Sequence, residues 1–570
     1  MIKKALAILL ILGLVFTSVV ACGNNDVEPT NDDQVKEDTK DDTEDNKKED
    51  EPKEEPKEEP KVEQVVTYNM GADPETLDPG KATENVGFNV IINTFEGLTN
   101  LDENDKAIPG VAKKWDVNED ATEFTFYLRD DAKWSDGKPV TAYDFEYAWK
   151  RVINPETASD YAYQLFYLKN AEDIINGDAS IDELGVEVID EKTLKVTLQG
   201  PVSWMLEMFA FPTYFPIRKD VVEKNPDTWA LEADTIVSNG PFKVTEWSHN
   251  EKVVMAKNEH YWDKERVKLD KYVMTLINED TTALAAFEAG DIDGTDGVPR
   301  AEIARLQAEN DDFMILPDLG LYYYTFNNKV EPFNNEKVRK AFTLAIDRSA
   351  IVNTVSMGGE TPATGVVPVG INIGGEDFRE AGGNYDIDPN SAKVEEAKKL
   401  LEEAGYPNGE GLPEITLKYN TNENHQRVAE AVQEMWKKNL NVNVTLGNAE
   451  WKVHLSNLSE GNYQVGRIGW GADYAHPMTF LDLFISASGN NYTQYSSEEF
   501  DEYIRKAKST IDIQKANEYM HKAEDLWMER YTVCPIYFAS DPELMKSYVK
   551  GWRKSPLGYL YMDKAYIEGK

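Results

Sequence analysis

Side chains able to do chemistry are few and scattered in this 570-residue chain. The six histidines, His249, His260, His425, His454, His476 and His521, form no pair at the helical or strand spacing that holds a metal. There is no phosphate-cradling glycine loop ending in Gly-Lys-Ser/Thr, no Gly-x-Ser-x-Gly elbow and no sequence-local nucleophile beside a base. Triads assemble from distant residues, so missing motifs weigh only a little. Of the two cysteines, Cys534 sits in the apolar run Thr532-Val533-Cys534-Pro535-Ile536-Tyr537 and reads as a buried, inert thiol. The expectation is a protein with no catalytic residue, no metal and no cofactor.

Cys22 has a different reading. Lys3 and Lys4, the apolar stretch from Ala5 to Val20 and the box Val19-Val20-Ala21-Cys22 make a lipoprotein export signal, too short for a membrane span. Residues 1–21 are expected to be removed and Cys22 to carry lipid, which leaves no intramolecular disulfide. Residues 22–61 are crowded with Asp, Glu, Lys and spaced Pro and cannot build a core. As a coil this segment spans roughly 35 Å, a tether holding a folded body above the outer face of a cell membrane.

The body, residues 62–570, has the apolar content for two or three domains. Across the chain 60 basic residues stand against 103 acidic ones, a formal charge of −43, which argues against nucleic acid as a partner. Such acidity reads first as solubility for an exported protein.

Short alternating runs at Val65 to Met70, Phe124 to Leu128, Thr193 to Leu198, Ile415 to Asn420 and Asn441 to Leu446 predict strands. Val394, Ala397, Leu400, Leu401 and Ala404 share a helical face that Gly405 is placed to end, and Val428, Ala431, Val432, Met435 and Trp436 share another. The second helix lies between two strands, a strand-helix-strand unit that argues for an α/β fold. Neither a tandem repeat nor a second membrane segment is present.

The strongest local signal is Trp134-Ser135-Asp136-Gly137-Lys138-Pro139-Val140-Thr141-Ala142-Tyr143-Asp144-Phe145, continuing to Tyr147 and Trp149. It predicts a turn, then a helix capped by Thr141 with Asp144 three residues on, with Phe145 and Trp149 on one face. The block resembles the hallmark of the peptide-binding solute receptors of ABC importers, family 5, the peptide/nickel class. Similar agreement runs through Thr76-Leu77-Asp78-Pro79, Phe95-Glu96-Gly97-Leu98, Pro109-Gly110-Val111-Ala112, Ser238-Asn239-Gly240-Pro241-Phe242, Pro332-Phe333-Asn334-Asn335, Val338-Arg339 and Ala345-Ile346-Asp347-Arg348, covering residues 62–570. The resemblance implies an α/β, two-lobed periplasmic-binding-protein-like fold, type II and of the large cluster C kind, which closes on its ligand. Lobe I would take residues 62–96, 216–318 and 540–570 with an extra domain at 97–215, lobe II residues 319–539, and the hinge would lie near 318 and 540.

Similarity to oligopeptide-binding members rests on Gly469-Trp470-Gly471-Ala472-Asp473-Tyr474 and Tyr322-Tyr323-Tyr324. It implies that Asp473 pairs with the ligand's α-amino group, while Gly469 and Gly471 backbone and Tyr323 hold its main chain. A carboxylate enclosed between lobes is costly unless an ammonium joins it, and glycines let a ligand backbone approach as an added strand. The bland alternatives are a turn-capping Asp473, a bulge at the glycines, and at least one core tyrosine, since the three alternate faces in a strand. Trp470 and Trp451 are candidates for side-chain pockets; Arg467, His425 and Asn420 for the ligand's far end, Arg467 with shorter and His425 with longer peptides; and Tyr161 from the extra domain. Where some members carry a cysteine pair this chain has Gly320 and Gly471, and a second acid near the amine corresponds to Thr83 or Glu84.

The expected function is a monomeric, lipid-anchored receptor that captures oligopeptides and delivers them to an ABC importer's permease and ATPase subunits, with no chemistry of its own. The alternatives are the same scaffold holding a nickel chelate, haem, an oligosaccharide or a signalling peptide, or a protein of another class, a surface hydrolase or an adhesin.

Overall fold

The computed structural model describes residues 63–570 except Ser203 and Ile511; Cys22, the export signal and the charged segment lie outside the described residues. The predicted periods map onto real elements. The alternating Ile415–Asn420 run is a strand with every second residue buried, and Glu423–Leu440 is a helix whose Val428, Val432, Trp436 and Leu440 form one buried stripe. Strand Val444–Ala449 then lies parallel to Ile415–Asn420, as the strand-helix-strand reading required. The third element begins later than expected because Asn441 takes a left-handed φ of 58° and ends the helix. Helix Val394–Glu403 also ends as its sequence indicated, with Gly405 at φ 95°.

An 11-stranded mixed sheet organises the body. One half runs Phe242–Ser248, Lys252–Lys257, Lys271–Thr275, Val65–Asn69 and Gly294–Thr295; the other runs Val444–Ala449, Ile415–Asn420 and Val465–Gly471. Two long antiparallel strands, Phe313–Phe326 and Val533–Met545, pass from one half to the other and pair along most of their length. Their register slips between Pro317 and Leu321, opposite Phe538 to Ser540. The two-lobed, mixed α/β architecture expected from the resemblance is therefore present.

A separate four-stranded antiparallel sheet, Ala112–Val117, Glu123–Leu128, Thr193–Thr197 and Val186–Asp190, carries helix Ala142–Ile153. That helix begins as its sequence predicts. Asp144 accepts from the backbone N–H of Thr141 at 2.8 Å in a capping box, and Phe145 and Trp149 are buried edge-to-face at 6.3 Å. The Trp149 indole N–H donates to the carbonyl of Tyr214 at 2.9 Å.

The start and the end of the described residues 63–570 close the first half. Gln64 exchanges hydrogen bonds with the backbone of Ile567, and Asn89 and Asn93 on helix Asn85–Thr94 hold the backbone of Gly558, Leu560 and Met562. No helix among the described residues is long and apolar enough to cross a membrane.

Candidate binding site

A cavity of about 430 Å³ lies where the two halves face each other, lined by Tyr161, Asn420, His425, Trp451, Arg467, Gly469, Trp470, Gly471 and Asp473. Nine of the ten ligand-contact residues expected from the sequence are thus brought together. Tyr323 is not: it is 2 % exposed, and its ring packs on Phe484. Side chains alternate along a strand, so Tyr322 takes the cavity side instead, stacking on Tyr537 at 4.6 Å.

Asp473 lies just beyond strand Val465–Gly471, after Ala472, and is 7 % exposed. Its carboxylate accepts from the Tyr161 hydroxyl at 3.1 Å, the Gln164 amide at 2.9 Å and the Thr479 hydroxyl at 3.3 Å. Among the described residues no lysine or arginine pairs with it. Burial drives its pKa up to about 8 despite those donors, and nearby Asp482 pushes the same way. Asp482 itself is compensated by Lys508 at 2.9 Å and by the Tyr167 hydroxyl at 3.0 Å. Asp473 is a carboxyl provided with three hydrogen bonds and no counter-charge. Tyr161 and Gln164 are more than 300 residues away in sequence, whereas Thr479 is local and its hydroxyl also accepts from the Asp473 N–H at 2.9 Å, so the carboxyl joins a turn to a distant segment.

The strand leading to Asp473 offers an open edge. On one side it pairs with Phe313–Phe326 throughout; on the other, Ile415–Asn420 meets it only at Val465 and Gly466. The ring of His454 hydrogen-bonds the Arg467 carbonyl at 2.7 Å on that second side. By the strand's period of two, the peptide groups of Gly469 and Gly471 project to the same edge. Neither glycine has a positive φ. What their lack of side chains preserves is space: a Cβ on Gly471 would stand 3.4 Å from Asn85, across the cavity. Gly320 and Gly471, the positions of a cysteine pair in some relatives, are direct ladder partners.

At the other end the Arg467 guanidinium lies 4.5 Å over the Tyr322 ring and donates to Asn420 at 3.2 Å, which fixes its direction. Its Nε, the Nδ1 of His425, the Tyr322 hydroxyl and the Oδ1 of Asn424 are buried without partners. Burial, together with Arg467, holds His425 well below its ordinary pKa, so its ring is neutral and serves as an N–H donor or acceptor, not as a cation. Helix Glu423–Leu440, capped by Asn422, positions both Asn424 and His425 in its first turn. Trp470 is fixed by its indole N–H donating to Thr479 at 3.0 Å, and Trp451 opens the neighbouring helix Trp451–Ser459.

Both candidates for a second acid position, Thr83 and Glu84, reach the cavity. The Glu84 carboxylate is occupied in capping helix Asn85–Thr94 through the Gly87 N–H at 3.0 Å, and burial raises it to about 7. Gln164 and Thr479 carried no sequence signal, and Tyr322 was not singled out within its tyrosine triplet; their places are set by contacts in the fold.

Comparison with known proteins places the chain in a family. The family model described as bacterial extracellular solute-binding proteins, family 5 Middle, matches residues 106–492. The oligopeptide-binding protein OppA of Bacillus subtilis (strain 168) is 40 % identical over 505 residues, 88 % of this chain and 92 % of that protein. The crystal structure of Haemophilus influenzae OppA in complex with RPPGFSPFR superposes with a TM-score of 0.83 at 36 % identity, covering 89 % of this chain and 99 % of the other. A structure of the Escherichia coli murein tripeptide binding protein MppA gives 0.82 at 35 % identity (89 % and 99 % covered), whereas the unliganded open form of MppA gives 0.58 (89 % and 98 %). The chain thus superposes better on the first MppA structure than on the open one.

Proposed function

We propose, from the premise that the chain belongs to family 5 of the bacterial extracellular solute-binding proteins, that it captures oligopeptides of relaxed sequence in the cavity between its lobes and hands them to an ABC importer. The observation that carries the reading is Asp473: an enclosed carboxylate with three neutral donors and no cation, beside a strand edge with free peptide groups. A peptide's α-ammonium supplies the missing charge, and its main chain adds to the edge at Gly469 and Gly471, so affinity depends little on side-chain identity. Arg467, oriented by Asn420, faces a terminal carboxylate, with neutral His425 as a further hydrogen-bonding group. The named relatives bind peptides by their titles, which supports the same ligand class.

Lobe I is assigned residues 62–96, 216–318 and 540–570 with the extra domain at 97–215, and lobe II residues 319–539. The register slip in the two long strands is the natural hinge between them. Tyr161 and Gln164 come from the extra domain and Asp473 from lobe II, so one carboxyl bridges the moving parts and ligand charge is read as closure. Cys22 is assigned the lipid anchor, which keeps the receptor beside its permease. Isothermal calorimetry with a tetrapeptide and its N-acetylated twin tests the reading: the free amine should bind by about 3 kcal/mol or more over the blocked one. Equal affinities would mean that Asp473 does not recognise the ligand's amine.

A further inference from the structure

The extra domain meets lobe II at a second place, away from the peptide cavity. The buried Tyr167 donates its hydroxyl to Asp482 at 3.0 Å and lies 3.1 Å from the hydroxyl of Tyr474. Lys508, the ion-pair partner of Asp482, stands 4.4 Å over the Tyr167 ring. Beside them the indole of Trp204 stacks on the His476 ring at 3.7 Å, with 23° between the planes. Burial holds His476 down to about 3, and its Nδ1 accepts from the Met478 N–H at 3.2 Å, so the stack joins two neutral rings. Further along the seam the two sides come to backbone contact: a Cβ on Gly489 would stand 2.5 Å from the Cα of Asp160.

By the assignment above, Asp160, Tyr167 and Trp204 belong to the extra domain and their partners here to lobe II. None of these residues lines the cavity between Asp473 and Arg467. The Asp482–Lys508 pair lies wholly within lobe II and survives opening, whereas the Tyr167 hydrogen bond, the Trp204 stack and the close approach at Gly489 are made only with the lobes together.

We propose that the extra domain is a latch: its Tyr167 and Trp204 face grips lobe II at Asp482 and His476 without help from the peptide, and drives closure once the charge of Asp473 is met. The inference rests on the peptide reading and the lobe assignment above, and adds where the closing force comes from. Two opposed effects then sit on one domain. At Tyr161 and Gln164 it encloses a carboxylate that has no counter-charge, which resists closure. At Tyr167 and Trp204 it makes a charge-assisted hydrogen bond and an aromatic stack, which favour closure. A peptide's ammonium removes the first effect and leaves the second, so affinity scales with the strength of a seam the ligand never touches.

Tyr167→Phe deletes the hydroxyl, and Gly489→Ala wedges the seam; Gly489 is exposed and its φ is not positive, so each lobe keeps its own fold. Calorimetry on the full chain with a tetrapeptide and its N-acetylated twin should find both peptides bound about ten-fold more weakly by each variant, the size of one lost hydrogen bond to a buried charge. The wild-type ratio between the two peptides should be kept. Small-angle scattering of the empty protein reads the latch directly: Asp473→Asn should be compact at pH 7.5, and Asp473→Asn combined with Gly489→Ala should be extended. Wild-type affinity in both variants, a loss confined to the free-amine peptide, or an Asp473→Asn protein as extended as the double variant would overturn the latch and leave peptide capture standing. If neither peptide binds the wild type, the peptide reading falls, and the scattering pair still decides the latch.

Discussion

Removing the charge of Asp473 should close the empty receptor. With the lobes together the carboxyl sits at about 8; with them apart, solvated, it returns toward its ordinary 3.8. A carboxyl raised by closure takes up a proton as the lobes meet. The empty closed form is therefore favoured in acid and loses ground steadily as pH rises from the ordinary carboxyl range toward 8. At pH 7 the difference costs about 4 kcal/mol, close to a thousand-fold bias toward the open form, and each unit of acidification returns about 1.4 kcal/mol. Asp473→Asn has no such cost and keeps the side-chain shape that meets Tyr161, Gln164 and Thr479. Small-angle scattering of unlipidated Cys22→Ser protein, without ligand, reads the outcome. The wild type should contract between pH 7.5 and pH 5, whereas Asp473→Asn should be compact at both. The asparagine variant loses the ammonium pair, worth about 3–5 kcal/mol, and also the closure cost, so its affinity for free peptides should fall modestly while its preference over acetylated peptides disappears. An Asp473→Asn protein as extended as wild type at pH 7.5, with no contraction of the wild type at pH 5, would refute the reasoning.

Three further expectations follow from the cavity and the core. Gly471→Leu places a side chain across the space toward Asn85, and peptide affinity should drop at least about a hundred-fold in titration calorimetry with little change in melting temperature, since the backbone there suits any residue. Trp149→Ala should cost about 3–5 kcal/mol in a urea melt, because it empties a large buried volume and leaves the Tyr214 carbonyl without its donor. Cys534 is fully buried, with burial raising its thiol, so a thiol reagent should leave the native protein unlabelled and modify this residue only after denaturation.

The fold was legible where local chemistry and final structure agree. Thr141 and Asp144 make a cap from four consecutive residues, and the alternation from Ile415 to Asn420 is a strand over the span its pattern marked. The added start at Asn441 failed because a run of apolar alternation does not show that its first residue terminates the preceding helix. Site residues on one short motif, Gly469 to Asp473, were readable through resemblance, and the structure puts them around one cavity. Tyr323 against Tyr322 turned on strand phase, which three consecutive tyrosines cannot reveal. Gln164 was out of reach for another reason: it matters through a partner hundreds of residues away, a condition that leaves no mark on neighbouring sequence.

The position of the first strand has a consequence for how the chain is made. Val65–Asn69 is an interior strand, flanked in parallel by Lys271–Thr275 and Gly294–Thr295, so once made it waits for over 200 further residues before either neighbour exists. Asn89, Asn93 and Gln64 wait longer still, for backbone near the opposite terminus. Since long-range closure must precede its reward, the half that begins the sequence is finished last, after the other half has had everything it needs. Clipping the last dozen or so residues should therefore harm the beginning of the folded body more than its middle.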